Sequence, residues 1–155
     1  MTRMRVQFLL VFCFLLGVFT LSINVVGAVS RTIYVDGEQE KIEGISLRVD
    51  DEVSGSISVI GGSNNDIDFY ITDPDGEAVV PKERVGVKDF RFTASKEGTY
   101  ELHFDNSFST DRKTVTFNYD VRHFIFGIPQ EDFLVFLVMI VAMIGLVLFV
   151  ALSRP

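Results

Sequence analysis

The chain has 155 residues with 14 basic and 21 acidic side chains, a formal net charge of −7, one cysteine and no tryptophan. An acidic balance of that size excludes a nucleic-acid surface and disfavours capture of anionic lipid headgroups, while basic partners and divalent cations stay open to it. The single cysteine excludes an intrachain disulfide and a thiolate metal centre, so stability has to come from packing.

In chain order, Met1-Thr2-Arg3-Met4-Arg5 is a short cationic start to the apolar residues 8–28, which contain Cys13 and end in the small-residue run Val26-Gly27-Ala28. Residues 1–28 read as a secretory signal peptide cleaved after Ala28. The apolar run is long for such a segment, and an uncleaved signal anchor is the alternative. Either version leaves the segment from Val29 to Asp132 on the outer side of the membrane.

Residues 29–122 read as β-structure. Ile45, Leu47 and Val49 alternate with Ser46 and Arg48, and Ile67, Phe69 and Ile71 alternate with Asp68, Tyr70 and Thr72. The same period returns at Phe90 and Phe92, at Tyr100, Leu102 and Phe104, and at Val115, Phe117, Tyr119 and Val121. A period of two marks half-buried strands. Strands are predicted near 31–36, 40–50, 53–60, 66–73, 76–81, 87–94, 98–106 and 112–122, with no helix among them. Between them fall Asp36-Gly37, residues 61–65, Asp73-Pro74-Asp75-Gly76, Ser95-Lys96-Glu97-Gly98 and residues 106–111, all rich in turn-forming residues. About eight short strands at this spacing imply an all-β antiparallel sandwich of jelly-roll type. Phe69, Phe92, Tyr100, Phe104 and Phe117 are its expected core.

The alternation stops at residues 123–132, a juxtamembrane linker in which Phe124, Phe126 and Ile128 are expected at the headgroup boundary. Residues 133–152 then carry no charge, and fifteen of them are Leu, Ile, Val or Phe. Their insertion as a helix is favoured by roughly 5–9 kcal/mol. At ~1.5 Å rise per residue the segment spans the ~30 Å hydrocarbon layer. Phe133, Leu134, Phe136, Leu137, Ile140, Ile144, Leu148 and Phe149 are the expected membrane anchor. With Glu131 and Asp132 before the span and Arg154 after it, residues 153–155 read as a cytoplasmic tail and the chain as single-pass type I. All 21 acidic residues lie within 29–132, so the outward part is more acidic than the whole.

Chemistry is sparse in this segment. It has no cysteine and no G-x-S-x-G elbow, and its only histidines are His103 and His123, so an enzyme is not expected. His103 alternates outward beside Glu101 and Asp105 and reads as a solvated strand residue. Carboxylates gather in Asn64-Asn65-Asp66-Ile67-Asp68 and Asp73-Pro74-Asp75-Gly76-Glu77. Oxygen ligands on loops suit calcium, which makes Asp68, Asp73 and Asp75 the candidate ligands. Asp-Pro-Asp-Gly is equally the sequence of a tight turn, with Pro setting φ and Gly free to take positive φ. No other cofactor is expected.

Three stretches carry a resemblance: Ile67-Asp68-Phe69-Tyr70-Ile71-Thr72-Asp73-Pro74-Asp75-Gly76, then Phe90-Arg91-Phe92-Thr93-Ala94, then residues 98–109 beginning Gly98-Thr99-Tyr100-Glu101-Leu102-His103-Phe104. Together they resemble the GOLD (Golgi dynamics) domain, a β-sandwich of the twenty-four-kilodalton transmembrane cargo receptors. The resemblance implies a protein-interaction domain on a membrane tether. The chain departs from those receptors in three ways. It lacks their disulfide, His103 standing where one cysteine would fall. Only a short stretch, residues 121–132, separates the last strand from the membrane, which leaves no room for their coiled coil. Ser153-Arg154-Pro155 does not carry their coat-binding signals. The domain is also similar to calcium-linked accessory sandwiches of secreted peptidases.

The function expected from the whole is non-enzymatic binding of a secreted or membrane protein, at the cell surface or in a secretory lumen. A structural envelope or assembly component is the alternative, and a calcium-linked accessory sandwich is the third reading. The sequence leaves the oligomeric state open.

Overall fold

Eight strands fall near the predicted positions: β1 (Val29–Val35), β2 (Glu40–Leu47), β3 (Glu52–Ile60), β4 (Ile67–Thr72), β5 (Ala78–Val85), β6 (Val87–Thr93), β7 (Gly98–Asp105) and β8 (Lys113–Arg122). The computed structural model describes residues 28–62 and 64–153, so the signal-segment reading, apart from Ala28, lies outside the described residues. The strands form two four-stranded sheets in the orders β1-β8-β3-β6 and β2-β7-β4-β5. The antiparallel pairs β1 with β8, β2 with β7, β3 with β6 and β4 with β5 are nested inside one another. That nesting is one long hairpin rolled into two layers, the jelly roll.

Burying the inner faces of both sheets supplies the driving force. Phe69, Tyr100, Phe104 and Phe117 are fully buried and Phe92 nearly so. Phe90, Phe69, Phe104 and Phe117 make a chain of ring contacts at centroid separations of 5.1–5.4 Å, tilted as aromatic quadrupoles prefer. Tyr100 packs on Phe92 at 5.4 Å, and its hydroxyl donates to the Lys96 carbonyl while accepting from the Lys96 amide. A buried phenol is thereby satisfied at the core's edge.

Two turns explain why the chain reverses where it does. In Asp73-Pro74-Asp75-Gly76 the Gly76 amide donates to the Asp73 carbonyl at 2.9 Å, and Gly76 takes φ 85°. The Asp73 carboxylate adds bonds from the Asp75 and Glu77 amides, each 2.9 Å. At the start of β7, Gly98 has φ 147°, and a Cβ there would lie 2.7 Å from the Pro74 ring. The two turns touch at that glycine.

The structure departs from the sequence reading at strand ends. β2 stops at Leu47, and Val49 is 51% exposed because the chain turns at Asp50, whose φ is 70°. β5 runs on to Val85 through Pro81, which is tolerated because β5 is an edge strand of its sheet.

The second compact unit divides from the sandwich between Phe124 and Ile125. The expected linker holds a small hairpin, β9 (Phe124–Ile125) and β10 (Ile128–Pro129). Its strands are too short for a period of two to show in sequence. Helix α1 (Gln130–Ser153) comes next, starting three residues before the predicted span and carrying Glu131 and Asp132 in its first turn, where the helix dipole favours acids. Residues Gln130–Ala151 are long and apolar enough to cross a membrane. All eight anchor residues lie on α1, and none of them is buried within the protein.

Candidate interaction faces

The two sheets present opposite kinds of outer face. On β2-β7-β4-β5 the register sets Asp68 of β4 directly across from Asp105 of β7. Like charges so placed repel, and two cations from β5 relieve them. Lys82 Nζ lies 2.5 Å from Asp105 and 3.8 Å from Asp68, and Arg84 Nε donates to Asp68 at 2.8 Å. The Arg84 guanidinium also lies 3.5 Å over the Phe108 ring. Burial opposes ionisation of Asp105, but the Lys82 ammonium and the Ser107 donors outweigh it and hold this carboxyl down at about 2.

One row along, the Tyr70 and His103 rings stack at 4.2 Å, and both reach the same Glu40 oxygen, at 2.7 Å from the hydroxyl and 3.0 Å from Nδ1. His103 Nε2 lies 3.1 Å from the Thr72 hydroxyl. Burial and the neighbouring Glu40 carboxylate push the Tyr70 phenol up to about 12. His103 is therefore 8% exposed, and the expectation of a solvated residue is corrected: it points away from the core, but Tyr70 and the polar groups of adjacent strands cover it. Thr72, His103 and Glu40 have the connectivity of a nucleophile, a base and an orienting acid. The hydroxyl belongs to a β-branched residue inside a ladder, however, and the Glu40 oxygen is shared with Tyr70. The group ties β4, β7 and β2 together.

The outer face of β1-β8-β3-β6 carries short side chains at its centre. Ser54 and Ser56 of β3 alternate outward, with Asp120 and Asn118 of β8 on one side and Arg91 and Asp89 of β6 on the other. The short Ser54 and Ser56 side chains leave an open groove of about 570 Å³ that Ala28 borders. A Cβ at Gly55 would strike the Asn118 carbonyl and the Phe90 ring, so the strands close up there only because the residue is glycine. Ser56 donates to Asn118 Oδ1 at 3.1 Å, which leaves the Asn118 amide N–H groups facing the groove's solvent. Arg91 is 3.4 Å from Glu52, while Asp89 and Asp120 make no ion pair among the described residues. A face whose charges are already paired stiffens its own sheet. A groove with unpaired acceptors and donors is where a partner's polar groups fit.

The residues singled out in the sequence scatter over the fold. Asp73 and Asp75 come together, but on Lys96, whose Nζ lies 2.7 Å from one and 2.5 Å from the other. That ammonium and the turn amides hold the Asp73 carboxyl below the usual carboxylate range, and the two acids hold Lys96 above the ordinary lysine value. Asp68 stands apart on Arg84 and Lys82. No group of three or more His, Cys, Asp or Glu residues able to hold a metal occurs among the described residues. His123 Nδ1 pairs with the buried Asp51 at 2.9 Å. Sequence reasoning missed buried polar residues, among them Asp51, Lys113 and Asn106. Lys113 is 1% exposed, its Nζ 3.3 Å from Asp66 and 5.8 Å from the Phe108 ring centroid. Asn106 is fully buried, and its Nδ2 donates to the carbonyls of Asp111 at 2.8 Å and Asp36 at 3.1 Å.

Residues 30–132 match the family model described as emp24/gp25L/p24 family/GOLD. The chain belongs to that family. The GOLD resemblance, read most clearly from residues 66–122, thus extends through the N-terminal strands. Among curated relatives, human transmembrane emp24 domain-containing protein 7 is 44% identical over 64 residues, 41% of this chain and 29% of that protein. Arabidopsis thaliana transmembrane emp24 domain-containing protein p24beta3 is 32% identical over 116 residues, 71% of this chain and 50% of that protein. The chain spans half or less of the length of these relatives. Among solved structures, Aeromonas hydrophila PliG, a periplasmic lysozyme inhibitor, has a TM-score of 0.46 at 11% identity, covering 61% of this chain and 86% of that one, too loose a likeness to bear on function.

Proposed function

We propose that this emp24/gp25L/p24-family protein is a non-enzymatic, single-pass type I membrane protein of the secretory pathway that binds a secreted or membrane protein through its GOLD domain. The observation that carries the reading is the family match over residues 30–132 running into a helix of membrane-spanning length. The curated relatives are named transmembrane proteins, in keeping with the tether. In this reading the groove over Ser54 and Ser56 is the contact. Its unpaired Asp89 and Asp120 suit amide and basic donors of another chain, as the acidic domain as a whole does. Ser54→Arg fills the groove without touching the core. Affinity capture under crosslinking with the wild-type chain is expected to return a reproducible heterologous partner that S54R loses. Equal recovery by both would move the contact elsewhere, and recovery of self-adducts alone would favour an assembly role.

A further inference from the structure

The hairpin ahead of α1 carries an aromatic residue where turn chemistry opposes one. Phe126 and Gly127 form the two-residue connection between β9 and β10, with φ 53° and 75°. Two successive positive φ values fit a type I′ turn, whose first position prefers Asn, Asp or Gly; a bulky aromatic there is an outlier. The ring gains little from its own fold in return. Phe126 is 93% exposed, and its aromatic neighbour is Phe133 in the first turn of α1, with centroids 6.3 Å apart.

We propose that Phe126 is a membrane-interface wedge, seated in the boundary layer between headgroups and acyl chains. Phe133 is the first apolar residue of the span, so a ring beside it lies at the depth where hydrocarbon begins. Ile128, also exposed, continues the apolar surface from the hairpin tip to the helix. Aromatic rings concentrate at that level of a bilayer. Glu131 and Asp132, adjoining the hairpin in sequence, repel acidic headgroups. Insertion therefore rests on apolar contact and takes place in a zwitterionic lipid such as phosphatidylcholine, with little dependence on salt.

The chain has no tryptophan, so Phe126→Trp supplies a sole indole in the full-length protein reconstituted in phosphatidylcholine vesicles. Lipids brominated near the glycerol end of the acyl chain are expected to quench it more than lipids brominated near the methyl end. Aqueous iodide should quench it severalfold less than an indole placed at the exposed Tyr34 of the sandwich. Indifference to both brominated lipids, with iodide access equal to that at position 34, would overturn the proposal. The wild-type chain gives a reading free of substitution: a headgroup-level nitroxide lipid should broaden the Gly127 amide resonance. Phe126→Asn, which suits the turn better, should weaken that broadening relative to the Gln130 amide at the start of the helix, and an unchanged ratio would also overturn the proposal.

Discussion

Asn106 shows how one buried amide organises two loops. It donates to carbonyls that end β1 and precede β8, while its backbone exchanges bonds with Gln39 and Glu38. Asn106→Ala strands those carbonyls in the interior and is expected to cost about 2–3 kcal/mol in urea unfolding of the soluble sandwich. Asp105 makes a pH-dependent contribution. Its carboxyl titrates at about 2 in the fold against ~3.9 unfolded, so its stabilisation is fully present above pH ~4 and is lost as pH falls through about 2. The loss amounts to about 2 kcal/mol, and Asp105→Asn should remove that part of the acid limb in a pH series of melting curves. The buried Lys113 and the half-buried Asp66 form a pair of another kind. Lys113→Met is expected to be neutral or mildly stabilising, whereas Asp66→Ala, which leaves the ammonium unpaired, should cost about 3 kcal/mol. The lysine was illegible in the sequence because its partner lies 47 residues away, and only the fold brings the two together.

Elements were legible where one physical rule governed them. Alternation exposed β2, β4, β6, β7 and β8, because an inner face that must be dry and an outer face that need not be leave a period of two. The rule failed where outward did not mean wet: His103 occupies an outward position and is covered by Tyr70, Glu40 and Thr72 from two neighbouring strands. The turn at Asp73 was legible in composition, but its closure by Lys96 was not, since that contact joins two loops 23 residues apart. With the Asp73 and Asp75 carboxylates occupied by an ammonium and by turn amides, millimolar calcium is expected to leave the melting temperature of the sandwich unchanged; a rise of several degrees would restore the metal reading. Gly98→Ala should destabilise by about 2 kcal/mol, because it combines an unfavourable φ with a collision against Pro74, and chemical denaturation would read it directly.

At the scale of the molecule, charge, fold and helix describe one design. All 21 acidic residues lie within 29–132, and there Asp68 and Asp105 on one sheet are paired with cations, while Asp89 and Asp120 in the groove of the other make no ion pair among the described residues. That difference was invisible in sequence, where Asp89 and Asp120 look no different from Asp68 and Asp105; register alone separates them. The most direct test of partner binding through that groove is a photo-crosslinking residue at Ser56, compared with one at Tyr70 on the paired face, in the full-length protein in its native membrane. A discrete heterologous adduct from position 56, absent from position 70 and abolished by Ser54→Arg, is the predicted result. An adduct from position 70 alone, or none from position 56, would contradict it.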